Sequence, residues 1–490
     1  MVRRLHLKRV HRALLESLYK EIKMAQHQST SKGLMEMGLL LFLALSFLLA
    51  TASSLIDAPL SSCSSKFKTD HHHNHHLNGS GLHLVLHHPR SPCAPATLHH
   101  LPFSTVLSHD DSRAQFLAAR LTKTSHRPRS PLLNPNAASV PLSSGMPIGA
   151  GNYITRVGLG TPSTSYVMLV DTGSSLTWVQ CSPCRVSCHD QVGSPFDPSA
   201  SATYRSVSCS APECDGLESA TLNPSACTTS NVCIYQASYG DSSFSVGYLG
   251  RDSLSLGTGG VFPSFVYGCG QDNEGLFGRS AGLIGLARNK LSLLSQLAPK
   301  FGNVFSYCLP TTASTGYLSI GSYPPAPYVY TPMVSSSSDD SLYYVRLTGI
   351  TVGGKGIAAA PSAYTTVPTI IDSGTVISRL PSDVYSALSK AVVAALGGRA
   401  RAPAYSILDT CYKGSATGLV APEVDMAFQG GATLKLPTRN VMIDVDSSTT
   451  CLAFAPTQRV AIIGNRQQQT FRVAYDLARS RIGFAAGGCG

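Results

Sequence analysis

The chain has 490 residues, more than one hydrophobic core usually serves, so two or three lobes are expected. Hydrophobic residues make up 43% and charged residues 13%, which excludes a disordered chain, and 43 Gly, 30 Pro and one Trp point to short strands joined by tight turns. The net charge of +11 sits at one end: residues 1–139 carry 16 Lys/Arg against 7 Asp/Glu, the remainder 22 against 20, so the main part lacks the basic footprint of a nucleic-acid binder.

In chain order, residues 39–50 form an apolar run followed by Ala50-Thr51-Ala52. A short apolar core before a small-x-small site is the pattern of a secretory signal, with cleavage near Ala52. The run is too short to span a membrane as a helix, which takes ~18 apolar residues. The 38 preceding residues suggest a start at Met35 or Met37. An uncleaved anchor and an organelle-targeting peptide are the alternatives, and Glu16 and Glu21 count against the second. Residues 1–52 are thus read as extension plus signal, and residues 53–140 as a prosegment.

The prosegment holds a His tract at 71–76, read as a solvated polar loop, and one glycosylation sequon at Asn78. A capping Ser108 and a mixed-charge face predict a short helix over 108–120. Residues 124–138, rich in Pro, Ser and Asn, form a linker suited to proteolysis, and maturation is expected between Pro128 and Gly149.

Fifteen of the 16 His precede residue 140, leaving His189 alone in the main part. That excludes a Ser-His-Asp site there unless His189 serves it, and any zinc site needing two His. Twelve of the 14 Cys follow residue 140, an even set that reads as disulfides made in an oxidising compartment. A zinc module at Cys181, Cys184 and Cys188 is the rival reading.

From residue 151 a repeat appears. An apolar strand at 166–170 runs into Asp171-Thr-Gly-Ser, and another at 369–371 runs into Asp372-Ser-Gly-Thr. About a hundred residues after each Asp come Gly282-Leu-Ile-Gly and Ala461-Ile-Ile-Gly, apolar segments whose glycines suit close backbone approach. The pattern reads as a duplicated lobe, 141–333 and 334–490. A pseudo-twofold would bring Asp171 and Asp372 face to face. Two adjacent carboxylates share a proton, so one acts as base and the other as acid on a water attacking an amide. One such Asp would be read as a turn cap; two copies with matching partner segments are not. Further helices are expected over 289–298 and 382–396, the second stopped by Gly397-Gly398.

Taken together, Asp171-Thr-Gly-Ser-Ser-Leu-Thr-Trp178, Phe196-Asp-Pro-Ser199, Tyr239-Gly-Asp241, Gly268-Cys-Gly270, Phe305-Ser-Tyr-Cys-Leu309, Asp372-Ser-Gly-Thr375 and Ile462-Ile-Gly464 resemble the pepsin-like aspartic peptidases, and within them the plant nepenthesin-type branch. The match covers roughly 140–490. The segment 82–93 is similar to prosegments of a subgroup that includes chloroplast nucleoid proteins. The resemblance implies an all-β, bilobal acid protease fold with the site in the cleft between lobes.

It also implies roles. Asp171 and Asp372 would be the catalytic pair. Tyr239, Gly240 and Asp241 would form the tip of a flap, with Trp178 bonding Tyr239. Ser174 and Thr375 would hold the outer carboxylate oxygens, Thr172 and Ser373 would cross-link the two loops, and Gly173 and Gly374 would admit the substrate. The implied disulfides are Cys181–Cys184, Cys188–Cys269, Cys209–Cys233, Cys214–Cys227, Cys308–Cys489 and Cys411–Cys451.

The expected protein is a secreted, monomeric aspartic endopeptidase made as a zymogen, active in acid on polypeptides with apolar side chains around the scissile bond. It needs no cofactor or metal, binds no nucleic acid when mature and keeps no membrane span. The apoplast is the expected compartment, with vacuole or chloroplast as alternatives. The rival function is a catalytically silent binding or inhibitor protein on the same fold.

Overall fold

The computed structural model describes residues 82–88, 91, 102–122 and 152–489, apart from 240–241, 258–259 and 337–338. Outside these lie the signal-like run, the His tract, the Asn78 sequon, Cys63, Cys93, the linker with its maturation interval, and the flap-tip pair Gly240 and Asp241. Among the described residues no helix is long and apolar enough to cross a membrane.

The elements that position the site begin with β1 (Leu82–His87) and the helix α1 (Phe103–Thr122). The first lobe follows with β2 (Ile154–Leu159), β3 (Thr164–Asp171), β4 (Trp178–Gln180), β5 (Cys233–Ser238), β6 (Phe244–Ser255), β7 (Val261–Glu274), β8 (Gly282–Gly285), α2 (Leu293–Phe301), β9 (Val304–Cys308) and β10 (Thr315–Ile320). The second lobe contributes β11 (Thr369–Ile371), β12 (Ser378–Pro381), α3 (Ser382–Ala395), β13 (Ala461–Ile463), β14 (Arg472–Asp476) and β15 (Arg481–Ala485). The fold is mostly β, as expected.

The duplication is visible in the pairing. β3 lies parallel to β8, with Asp171 opposite Gly285, and β8 turns antiparallel to β4. In the second lobe β11 lies parallel to β13, with Ile371 opposite Ile463, and β13 turns antiparallel to β12. Each Asp therefore stands at the buried end of its strand. The partner strand threads past the following loop so closely that only glycine fits. A Cβ at Gly285 would collide with the Ser175 carbonyl, and one at Gly464 would stand 2.8 Å from the Val376 carbonyl.

The lobes share a sheet through β9, which runs antiparallel to β14, and β10 hydrogen-bonds β9 on its other side. β1 extends that sheet, pairing antiparallel with β10 from Leu82 opposite Ile320 to His87 opposite Thr315. Its alternation puts Leu82, Leu84 and Leu86 into the core and His83, Val85 and His87 on the half-exposed face, the period-two logic of a strand with one face covered.

Two helices differ from their expected bounds. α2 starts at Leu293 rather than 289 because the Asn289 side chain accepts from Leu291 N at 3.0 Å and makes a turn, leaving Ser292 as the cap. α1 is 20 residues long rather than 13. Its first turns bury Phe103, Val106 and Leu107 against Ile377, Leu408 and Ala453, and its last turns bury Leu117 and Ala118 against Leu342 and Ile370. Packing, which the local pattern does not contain, carries the helix past both ends of the amphipathic segment. α3 has the expected span to within one residue.

All 12 expected cysteines are in disulfides, but two groups pair differently. The bonds are Cys181–Cys269 and Cys184–Cys188, not Cys181–Cys184 and Cys188–Cys269, and Cys209–Cys227 and Cys214–Cys233, not Cys209–Cys233 and Cys214–Cys227. Burial sorts them. Cys181 and Cys269 stand on adjacent parallel strands in the core, whereas Cys184 and Cys188 lie in a surface loop. Cys214 and Cys233 are buried together, and Cys209 and Cys227 remain at the surface. Cys308–Cys489 and Cys411–Cys451 are as expected. Non-reducing peptide mapping should therefore yield a peptide joining Cys181 to Cys269 and none joining Cys181 to Cys184; the reverse would refute the arrangement. Each bond is worth ~2–4 kcal/mol.

Candidate active site

Asp171 and Asp372 face each other, both fully buried. Each is held by its own loop in the same way. Gly173 N and Ser174 Oγ donate to the two oxygens of Asp171 at 3.0 and 2.6 Å. Gly374 N and Thr375 Oγ1 donate to those of Asp372 at 3.2 and 2.6 Å. The loops are cross-linked: Ser373 N donates to Thr172 Oγ1 at 2.8 Å, Thr172 N donates to Ser373 Oγ at 3.3 Å, and Thr172 Oγ1 also donates to Asp372 at 3.3 Å. Ser174 and Thr375 thus touch the outer oxygens, and Thr172 and Ser373 join the loops, the contacts that the resemblance implied. A preorganised pair of carboxylates with donors on both sides suits proton transfer without reorganisation.

Two supports escaped the sequence reading. Asn465 Nδ2 donates to the Ser373 carbonyl at 3.0 Å, and Gln468 Nε2 to the Asp372 carbonyl at 3.2 Å. They follow the Gly464 turn, so their position next to the second Asp was implicit in the repeat.

β5 and β6 form the expected flap hairpin, with Ser238 opposite Phe244. Tyr239 leaves its end, and Trp178 Nε1 donates to the Tyr239 hydroxyl at 2.8 Å. Phe277 packs edge-on against both rings, fixing the pair. His189 stands apart from this chemistry: its Nε2 lies 2.9 Å from the Ser280 carbonyl and its ring packs on Phe277.

The largest departure from the sequence reading is α1, which lies in the cleft. Arg113 reaches between the two carboxylates, with Nη2 2.5 Å from Asp171 Oδ1 and 3.1 Å from Asp372 Oδ1, and Nε 2.9 Å from Asp372 Oδ2. One nitrogen thus touches both inner oxygens. Burial would push Asp372 up, but the Arg113 guanidinium, with Thr375 and Gly374 N, holds its carboxyl below the usual range. In turn the two carboxylates raise Arg113 despite its burial.

The helix is anchored by charged groups on both sides of Arg113. Asp110, buried, accepts from Val376 N and from Ile377 N at 3.1 Å and pairs with Arg379 at 3.1 Å. Burial pushes its carboxyl up against those partners. Arg120 pairs with Asp339 at 2.7 Å and donates to the Gly173 carbonyl and to Ser341 Oγ, each at 2.8 Å. A signal for this existed. Asp110, Arg113, Leu117 and Arg120 are spaced three, four and three residues apart, which places them within an arc of roughly 80° on a helix of 3.6 residues per turn.

Two buried carboxylates facing each other on paired strand-loop repeats define an aspartic-peptidase type of site. Models of the xylanase inhibitor N-terminal and C-terminal domains match residues 153–322 and 342–486. Relatives include an Arabidopsis thaliana aspartyl protease family protein, 42% identical over 78% of this chain and 82% of its own length. The Nepenthes gracilis aspartic proteinase nepenthesin-2 is 35% identical over 70% and 79%. The chain belongs to this plant aspartic protease family and is a hydrolase of that class. The solved structure of basic 7S globulin from soybean shares the fold with a TM-score of 0.55, at 22% identity over 69% of this chain and 94% of that one. Conglutin gamma from lupine seeds does so at 0.56, 21%, 69% and 92%.

Proposed function

We propose that this chain is the zymogen of an acid endopeptidase in which Asp171 and Asp372 activate a water for attack on an internal peptide bond. The observation that carries this reading is the guanidinium of Arg113 on both carboxylates. The space it fills is where a water would touch both groups, so the latent and working states differ by one exchange. When the guanidinium leaves, two like charges remain close together, and one of the pair takes up a proton. The ionised member then deprotonates the water while the protonated one donates to the developing oxyanion or the leaving nitrogen. No metal or cofactor enters. Residues 53–140 are the removable prosegment, and 141–333 and 334–490 the catalytic lobes.

Tyr239, with Gly240 and Asp241 beyond it, closes over the substrate. Phe116 and Leu117 of α1 lie against a hollow formed by Leu176, Ala220, Leu222 and Tyr239, which supports a preference for apolar side chains near the scissile bond. Six disulfides support export through the secretory pathway. The binding-protein alternative finds no support in the site, since both carboxylates, both supporting hydroxyls and the flap tyrosine are in place.

The test is hydrolysis of an unfolded protein against pH, by chain first incubated in acid, with and without pepstatin. Pepstatin-sensitive cleavage peaking in the acid range is expected. A folded, processed protein that cleaves nothing would overturn the reading.

A further inference from the structure

On the two sides of Arg113, α1 carries opposite charges, each paired with a charge of the lobes. On one side the Arg379 side chain, 2% exposed with α1 in place, donates to the Ile377 carbonyl at 3.1 Å, and the carboxylates paired with it, Asp110 at 3.1 Å and Asp111 at 3.6 Å, both belong to α1. The backbone donors Val376 N and Ile377 N, which Asp110 also occupies, point to the same place. On the other side Asp339 is held by Ser341, whose N and Oγ donate to it at 2.9 and 2.6 Å. The cation paired with Asp339 is Arg120 of α1, which also fills the hydrogen-bonding capacity of the Gly173 carbonyl, two residues from Asp171. Removing the helix therefore leaves a cation without its carboxylate partners beside two N–H donors on one side of Asp171 and Asp372, and a carboxylate with a hydroxyl and a carbonyl on the other. A charge in such a place is costly without a partner.

We propose that the processed enzyme selects extended polypeptides carrying an acidic side chain on one side of the scissile bond, received by Arg379, and a basic one on the other, received by Asp339. This rests on the endopeptidase reading above. The spacing follows from geometry. Asp110 and Arg120 are ten positions apart on a helix rising 1.5 Å per residue, roughly 15 Å, which an extended chain at about 3.3 Å per residue covers in four or five residues. Phe116 and Leu117, between the charges, mark the apolar positions.

The experiment compares kcat/KM of the processed enzyme on quenched-fluorescence peptides sharing one apolar core. One set places Asp and Arg four or five positions apart about the core, a second reverses their order, and a third has neutral isosteres at both positions. One of the two charged orders should exceed the neutral set by roughly tenfold or more, since each pair forms in a partly desolvated cleft. In Asp339→Asn the dependence on Arg should collapse while that on Asp persists, and Asp339→Lys should favour an acid where the wild type favours a base. Neutral peptides cleaved as fast as both charged orders would overturn the proposal and leave the endopeptidase reading standing. No cleavage of any set by a processed chain would overturn both.

Discussion

Asp171→Asn or Asp372→Asn, each in the acid-processed chain, is expected to lower kcat at least ~10³-fold with the fold retained. The amide oxygen keeps an acceptor for the backbone donor, Gly173 N or Gly374 N, and the amide NH2 can donate to the Ser174 or Thr375 hydroxyl, which reverses its role, so the loop geometry survives. What is lost is the ability of the pair to hold one shared proton and pass it in both directions. The two losses should not add, because the carboxylates act as one unit, and the double variant should resemble either single one. Substantial hydrolysis by a processed double variant would defeat the assignment. Near-wild-type thermal unfolding by circular dichroism would show that the loss is chemical.

Arg113→Gln is expected to release the latent chain. Removing one partner of a buried ion pair costs about 3–5 kcal/mol, and even the lower figure shifts the docked–undocked balance of α1 by ~10²-fold. The anchors at Asp110 and Arg120 remain, so the variant should fold. It should nevertheless process itself, or cleave a test peptide, at mildly acidic pH where the wild type is silent. Arg113→Lys should lie between, since an ammonium keeps the charge but not the two-nitrogen contact with Asp372. A Gln variant as latent as the wild type would overturn the lock.

The same pair sets a pH dependence. The Asp372 carboxyl is depressed by Arg113, so its contribution to holding α1 is complete above the ordinary aspartate value of ~3.9 and disappears as pH falls through the lower, folded value. Arg113 itself stays charged throughout. Acid therefore loosens the lock by protonating Asp372. The thermal midpoint of the intact wild type should fall more steeply than that of Arg113→Gln below about pH 4.

Much of the site was legible before any coordinates. The two Asp-Ser/Thr-Gly-Ser/Thr loops are local structures: a buried strand, a turn and a hydroxyl three residues on. Their hydrogen bonds, Ser174 to Asp171 and Thr375 to Asp372, close within four residues, and the resemblance named them in advance. The partner strands ending in Gly285 and Gly464 were legible for a steric reason, since no other residue permits that approach. The Trp178–Tyr239 bond needed the resemblance, because 61 residues separate its ends.

What the tertiary structure alone decided is where distant surfaces meet. Cysteine spacing left the pairing open, and burial then put Cys181 with Cys269 and Cys214 with Cys233. The helix in the prosegment was readable as a helix, but its task was not. Arg113 lies 58 residues from one carboxylate and 259 from the other, and the spacing of Asp110, Arg113, Leu117 and Arg120 marks only a shared helix face, not what that face meets. The sequence by itself thus determined the two Asp-bearing loops, because their geometry is built by neighbours along the chain. The state of the two carboxylates, occupied by a guanidinium, arises from packing among elements far apart in sequence, whose energies no local pattern contains.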